Sequence, residues 1–414
     1  MYERFKRSIQ PLINIYHLLK AFFANILYGF PSKKLKVIGV TGTDGKTTTT
    51  FLIYHILKAA GKKVSMITSV YAKIGDREYD TGLHTTTPDA VLVQRMLKKA
   101  LVAGDEYFVL ETTSHALDQN RVTGVTFDIG VITNITSEHL DYHRTRDKYI
   151  KAKSKLLTHS KTSVINRDDS SFLPLTKILE RHKKTVITYS LKTKAVYTKN
   201  IKKDLNLPLA EFNNYNYLAA YAVSDLLGIN KKTIENAMKN YVLPKGRLET
   251  VYDKEFRVII DFAHTENSIR LALKSIKSFV KGGRLIHVFG AAGLRDRIKR
   301  PLMGEASAES SDVVILTEED HRTEDPVKIS EEVAAGLVNK GFGYVYPEKL
   351  DGTKKRYTVI VERNKAIQKA VDIAQKGDVI VLTGKSHERS LARGNKEYPW
   401  DEKRTLLEVL AKKS

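Results

Sequence analysis

The sequence predicts an α/β protein: a central domain with a mostly parallel sheet, a C-terminal domain with a second open α/β sheet, and a short N-terminal helix before them. Three observations predict it. Short apolar runs alternate with stretches of helical spacing from residue 37 to the C-terminus. The first of those runs passes through a glycine loop into a helix. The 414 residues give a prior of two or three domains. Hydrophobic residues at 42% and 20 tyrosines supply enough apolar material for ordinary cores, so wholesale disorder is excluded. With no cysteine the chain has no disulfide framework, thiolate zinc site, iron–sulfur cluster or cysteine nucleophile.

The formal net charge is +22, from 69 Lys+Arg against 47 Asp+Glu. Nucleic acid, phosphorylated substrates or a membrane surface would each account for it, as would a solvated lysine-rich surface, because the lysines are spread along the chain. Residues 1–36 form a basic amphipathic segment in which Arg4, Lys6, Arg7, Lys20, Lys33, Lys34 and Lys36 stand against Glu3. Its apolar stretch PLINIYHLLKAFFANILYGF is interrupted by Asn14, His17, Lys20 and Asn25, and no small-residue cleavage site follows. Lysine near the middle makes it a poor bilayer-spanning helix. Asn14, His17 and Lys20 draw a polar stripe along an otherwise apolar helix. The pattern predicts a helix packed on the next domain, with peripheral contact of residues 1–30 with a membrane as the alternative.

Lys36-Val37-Ile38-Gly39-Val40 reads as a buried strand, TGTDGKTTTT as a phosphate-binding loop, and FLIYHILKAAG as a helix. Gly42 and Gly45 let backbone amides turn toward phosphate oxygens around Thr43 and Asp44. Lys46 supplies a point charge, and Thr47, followed by Thr48, offers a hydroxyl to Mg²⁺. Val40 stands where the general G-x-x-x-x-G-K-[ST] pattern has glycine, so this is a variant. The runs KKVSMITSV, DEYFVLETTSHAL and FDIGVITNITSEHLDYH extend a P-loop-type ATPase domain over residues 37–243. Glu111 and His139 fall at or just past strand ends above the loop, where carboxylate and imidazole suit a metal bridging nucleotide and substrate. From residue 244 to 414, RVIIDFA, RLIHVFG, DVVILTEED, TVIVERN and DVIVLTG alternate with helices as a Rossmann-like sheet. No G-x-G-x-x-G fingerprint accompanies it, so NAD is not supported.

Together with GVTGTDGKTTTT, the stretches TTTPDA (85–90), ETTSHAL (111–117), TNITSEHLDYH (133–143), AKSKLL (152–157), INRDD (165–169), EFNNYNYLAA (211–220), GRLE (246–249), DFAHTENS (261–268), FGAAGLRDRIKRP (289–301) and GKSHE (384–388) occur in this order. This series resembles the Mur ligases, and within them the UDP-N-acetylmuramoyl-tripeptide synthetase type. The resemblance implies a cytoplasmic, monomeric ATP- and Mg²⁺-dependent amide ligase. It would join meso-diaminopimelate or L-lysine to a muramyl-peptide precursor through an acyl phosphate, in peptidoglycan synthesis and without nucleic acid.

The resemblance also implies residue roles. Lys46 would contact the β- and γ-phosphates, Thr47 and Glu111 would hold Mg²⁺, and His139 would help hold a second ion. Lys153, which by composition alone is one more surface lysine, matches the family lysine that is carbamylated. Asn213 and Asn216 would lie on the adenine side, with an N-cap as their ordinary reading. Arg247 and Asp261 would lie near phosphates and ribose, the ordinary readings being a surface salt bridge and a strand-to-helix cap. Thr86, Thr87, Pro88, Ser114 and His115 would seat the acceptor. Arg295, Arg322, Lys385 and Glu388 would select the amino acid. The selecting tetrad is Glu319-Asp320-His321-Arg322 where diaminopimelate-adding members have Asp-Asn-Pro-Arg, and Ser386 replaces the glycine of GKGHE.

Thirty-six residues before the first strand are too few for the usual UDP-gripping domain, so the chain is expected to lack it. The competing expectations are a relative acting on another polyanionic acceptor (folyl, cyanophycin-like or pseudomurein peptide) and a non-catalytic binding protein of the same fold.

Overall fold

A computed structural model describes residues 10–82, 86–136, 138–207 and 210–413. Residues 1–9 of the basic segment, and Thr85 and Ser137 within two of the motifs, lie outside the described residues. The chain divides into two compact units, residues 1–242 and 243–414.

The first unit runs α1 (Gln10–Tyr28), β1 (Lys36–Thr41), α2 (Lys46–Ala59), β2 (Val64–Ile67), β3 (Ala72–Ile74), β4 (Arg77–Tyr79), α3 (Ala90–Val102), β5 (Tyr107–Glu111), α4 (Ser114–Asp118), β6 (Phe127–Ile132), α5 (Leu140–His143), α6 (Arg146–Thr158), β7 (Ser160–Asn166), α7 (Phe172–Arg181), β8 (Thr185–Tyr189), α8 (Ile201–Asp204), α9 (Glu211–Leu226) and α10 (Lys231–Lys239). Its sheet has the order β4-β3-β2-β5-β1-β6-β7-β8. The six strands from β2 to β8 in that order are parallel, and β3 and β4 add an antiparallel edge.

Because successive side chains point to opposite faces, β1 feeds two cores. Ile38 and Val40 pack with Leu52, Ile53 and Ile56 of α2 and with Leu218 and Ala222 of α9. Val37 packs on the other face with Val93 and Leu97 of α3 and with Phe108 and Leu110 of β5. Both faces being covered is why the run reads as continuously apolar. The register pairs Val40 with Glu111 and Thr41 with Ile132, so β1, β5 and β6 end side by side and their following loops share one edge of the sheet.

Helix α1 packs on α3, as the sequence predicts, but by its polar side. Lys20 Nζ lies 3.1 Å from an Asp89 carboxylate oxygen, and Asn25 Nδ2 donates to Thr123 O at 2.9 Å. Asn120 Nδ2 donates to the Asn14 carbonyl at 3.4 Å. Ala21 and Ala24 are buried beside Asn25. Leu12, Ile15, Phe23 and Leu27 point to solvent. No helix among the described residues is long and apolar enough to cross a membrane.

The second unit runs β9 (Glu249–Asp253), β10 (Arg257–Asp261), α11 (Glu266–Lys277), β11 (Leu285–Phe289), α12 (Lys299–Ala308), β12 (Val313–Leu316), α13 (Pro326–Asn339), β13 (Gly343–Tyr344), β14 (Arg356–Val359), α14 (Arg363–Ile373), β15 (Val379–Thr383), the hairpin β16 (Ser390–Arg393) and β17 (Lys396–Pro399), and α15 (Glu402–Lys413). The sheet order is β13-β14-β12-β11-β15-β10-β9, parallel except for β9. Four of the five apolar runs read from the sequence contain one strand each, and TVIVERN overlaps β14 only at Thr358 and Val359; β9, β13 and the β16–β17 hairpin were not expected. Asp261 pairs with Thr383, which sets the end of β10 beside the GKSHE loop.

Candidate active site

Two glycines make the loop after β1 possible. At Gly42 an added Cβ would sit 1.8 Å from Thr133 Oγ1, and at Gly45 (φ 82°) 2.1 Å from Asn216 Oδ1, so neither position admits a side chain. The loop is tied to the β6 end: Thr43 N donates to Asn134 O at 2.9 Å, and Asp44 N to Asn134 Oδ1 at 2.9 Å. Thr133 Oγ1 donates in turn to Asp44 O at 2.6 Å. Lys46, the first residue of α2, folds back so that Nζ donates to Gly42 O (3.1 Å) and Thr43 O (2.8 Å). A loop held from below, with a helix N-terminus and an ammonium above, is a seat for polyphosphate.

The structure brings Thr47 and Glu111 together. Thr47 Oγ1 donates to Glu111 Oε1 at 2.9 Å, and Ser69 N donates to Oε2 at 2.9 Å. Glu111 is buried. A hydroxyl and a carboxylate oxygen beside a phosphate loop are the hard oxygen donors Mg²⁺ prefers, so these residues fit that ion. Thr48 is buried one position further along α2. Thr87 Oγ1 donates to the Glu111 carbonyl at 3.0 Å and accepts from Thr113 N at 2.9 Å, which joins the TTTPDA motif to the β5 end. Pro88 is buried next to it, and Thr86 is half-buried.

Lys153 is not a surface lysine. It is 1% exposed, its Nζ donates to Gly42 O at 2.6 Å, and it lies 4.6 Å from the Tyr149 ring centroid. Burial, and then the Lys46 charge, hold its pKa well below that of an ordinary lysine. His139 follows β6 in the left-handed region (φ 55°), with Nε2 3.7 Å from Glu138 Oε2. Its ring stands edge-on to His115 at 4.7 Å. Ser114 Oγ pairs with His143 Nε2 at 3.0 Å, and burial pushes that imidazole down to about 4. Among the described residues no three His, Asp or Glu converge as a self-sufficient metal cage.

Asn213 and Asn216 are buried inside α9, with Asn216 Nδ2 donating to Asn213 Oδ1 at 3.0 Å. Neither caps the helix, whose N-cap is Ala210. Asn216 instead lies against Gly45, so α9 reaches the phosphate loop.

In the second unit Asp261 accepts from Leu248 N and Ala263 N, both at 2.8 Å. It does not cap α11, whose cap is Thr265. Burial raises its pKa against the pull of Arg247. Arg247 stacks over Phe262 at 4.6 Å. Lys385 is fully buried and donates to Asp320 Oδ1 at 2.8 Å and Glu388 Oε2 at 2.6 Å. Arg322, at φ 53°, donates to Gly293 O at 2.9 Å and Asp320 O at 3.1 Å, with its other terminal nitrogen 4.0 Å from Asp320 Oδ2. Ser386 accommodates its departure from glycine by donating to Gly246 O at 3.0 Å. Arg295 is exposed and stands apart from this cluster's hydrogen bonds.

The sequence reading gave no role to Asn134, Tyr149 or His143, and it placed Glu319 and Asp320 in the selecting tetrad without foreseeing their burial near Lys385. Tyr149 had a signal: it lies four residues before Lys153, one turn away on α6. Glu319 is buried with Oε2 lacking a hydrogen-bond partner, and burial, then the Asp320 charge, push its pKa up to about 7. A folded-state value above the ordinary 4.5 means that the folded protein keeps the proton longer than the unfolded chain. Stability therefore falls as pH rises between those two values. Glu319→Gln is expected to gain on wild type by about 1–3 kcal/mol between pH 4 and pH 8. Urea unfolding at both pH values measures it, and a pH-independent difference would refute it.

A parallel sheet with a phosphate loop, a Thr–Glu cation seat and a buried lysine beneath, followed in the chain by a second α/β unit, defines the class of ATP-dependent ligases. The family profile described as "Mur ligase middle domain" matches residues 40–240, and that described as "Mur ligase, glutamate ligase domain" matches 246–386. The chain belongs to the Mur ligase family. It is 38% identical over 431 aligned positions to the UDP-N-acetylmuramoyl-L-alanyl-D-glutamate–2,6-diaminopimelate ligase of Aquifex aeolicus, covering 99% of this chain and 84% of that one. A solved structure of a ligase with the same description aligns at 28% identity and TM-score 0.58, covering 92% of this chain and 79% of the other. The folylpolyglutamate synthase of Mycobacterium tuberculosis, at 17% identity and TM-score 0.68 over 90% and 96% of the two chains, shares the fold.

Proposed function

We propose that the protein is the ligase that adds meso-diaminopimelate to a UDP-N-acetylmuramoyl-L-alanyl-D-glutamate-type acceptor, at the cost of ATP. The observation that carries the reading is the placement of Lys153 Nζ 2.6 Å from the phosphate loop's Gly42 carbonyl, in a site whose Thr47 and Glu111 suit Mg²⁺. The relatives named for this reaction support the acceptor and the amino acid.

In this reading the loop amides and Lys46 orient the triphosphate so that its γ-phosphorus faces the acceptor carboxylate. That carboxylate attacks phosphorus, ADP leaves, and an acyl phosphate remains. The amine of the incoming amino acid adds to the acyl carbon, and collapse expels phosphate. Thr47 and Glu111 would hold Mg²⁺ and His139 would help hold a second ion, which would supply neutralisation of the charge that builds on the phosphate oxygens. Lys153 acts as its carbamate: the neutral amine adds CO₂ and loses one proton, which turns a cation into an oxygen donor. Thr87, Pro88, Ser114 and His115 seat the acceptor, with Thr86 at its edge. Asn213 and Asn216 serve the adenine, and Arg247 and Asp261 serve the phosphates and ribose. Arg322, with Arg295, takes the far carboxylate of the amino acid, for which a bidentate guanidinium is suited. Lys385 and Glu388 complete that pocket.

Purified protein given ATP, Mg²⁺ and the UDP-muramyl-dipeptide is expected to release phosphate only when diaminopimelate is added, with a product of the summed mass less water. Phosphate release that follows L-lysine or a folyl acceptor instead would replace this substrate assignment. Release with no amino acid or acceptor combination would sink the ligase reading.

A further inference from the structure

We propose that the outer face of α1 docks on an anionic lipid surface and lies flat in its headgroup layer. The helix is turned inside out relative to an ordinary packed helix. Its polar side is committed to the domain through Lys20–Asp89, Asn25–Thr123 and Asn120–Asn14, and the close approach relies on Ala21 and Ala24. The opposite side presents Leu12 (66% exposed), Tyr16 (58%), Phe23 (65%) and Leu27 (73%), with Ile15 and Phe22 between them. From Leu12 to Leu27 this is an apolar strip about 23 Å long, longer than the isolated exposed side chains a soluble surface carries. Aromatic rings on such a strip suit the membrane interface.

Charge chooses the occupant. Residues 10–36 contain Lys20, Lys33, Lys34 and Lys36 and no aspartate or glutamate. Lys33, Lys34 and Lys36 are exposed just past the helix end. An anionic headgroup layer matches both the apolar strip and the three exposed lysines just past its end. A second copy of this chain would bring the same cations together. The hydrogen bonds on the polar side hold the axis against the domain, so the helix lies along the surface and does not enter it end-on.

The test is co-sedimentation with vesicles of phosphatidylglycerol and phosphatidylethanolamine, against vesicles of phosphatidylcholine. Wild type is expected to pellet with the anionic vesicles and to be released as salt rises. Phe23→Glu combined with Leu27→Glu is expected to weaken binding about tenfold or more, and Lys33→Glu with Lys34→Glu to remove the preference for anionic lipid. Because the chain has no cysteine, Phe23→Cys carrying an environment-sensitive fluorophore reports insertion directly, as a blue shift on adding vesicles. Equal pelleting of wild type and the glutamate variant, or an unshifted fluorophore, overturns the proposal. So does a wild-type dimer in solution that the glutamate substitutions convert to monomer, because the strip would then belong to a second copy. Vesicle-free ATP turnover by the glutamate variant should equal wild type, which separates this outcome from failure of the ligase reading.

Discussion

Lys153→Ala is expected to lower ligase turnover by on the order of 10³ or more, with added bicarbonate giving no recovery. The size follows from where the side chain sits. Lys153 is buried under the phosphate loop, and its Nζ touches the Gly42 carbonyl, one residue beyond the end of β1. A carbamate needs a neutral amine. An ordinary lysine at pH 8 is only about 0.3% neutral, whereas burial and the neighbouring Lys46 charge push Lys153 well below that ordinary value and enlarge the reactive fraction. Wild-type enzyme stripped of CO₂ should lose activity and regain it with bicarbonate. Labelling with ¹³C-bicarbonate should give a carbamate resonance that Lys153→Ala lacks. Stability moves the other way. A lysine whose folded pKa is depressed costs stability below that value, and the cost fades as pH rises toward the unfolded value. Lys153→Met should therefore unfold at a higher temperature than wild type at neutral pH, with the gap narrowing in alkali. An active Lys153→Ala enzyme, or a carbamate signal that survives the substitution, would refute the assignment.

The same residue shows what the sequence could reveal and what it could not. On α6, Lys153 has Tyr149 and Ile150 one turn before it and Leu156 and Leu157 one turn after it, all buried. Helical spacing thus put the lysine on the apolar stripe, and only its residue type argued for the surface. The strands were legible because parallel strands covered on both faces read as unbroken apolar runs. The phosphate loop was legible because its glycines answer a steric demand that Thr133 and Asn216 impose. Helix α1 was legible as a helix, but periodicity names two faces without saying which one turns inward. Here the carbonyls near Thr123 and the Asp89 carboxylate drew the polar side in. Pairings between distant segments were least legible. Asp320 and Lys385 are 65 residues apart in the chain, and nothing local in either motif announces that they meet.

That pairing carries the largest expected change in stability. Lys385 is fully buried, and its ammonium lies between Asp320 and Glu388, while Glu319 sits close enough for Lys385 to oppose the rise in its pKa. Burial alone would lower the lysine's pKa; the two carboxylates outweigh it and hold the value above the ordinary 10.5. The ion cluster therefore contributes fully below the unfolded value and is lost as pH rises through the folded one. Lys385→Met removes the ammonium that donates to Asp320 Oδ1, an oxygen that Ala392 N also holds at 3.0 Å. It leaves buried carboxylates facing one another. Breaking such a pair costs about 3–5 kcal/mol, or about 6–20 °C in the melting temperature of a domain of this size. Adding Asp320→Asn should return part of the loss, because one stranded charge is then gone. Acid should return more, since the carboxylates of the single variant can take up protons below about pH 5. Calorimetry of the single and double variants at pH 5 and pH 7.5 measures both effects. A single variant that melts with wild type at pH 7.5, or one whose deficit is the same at both pH values, would show that the ammonium does not hold this cluster together.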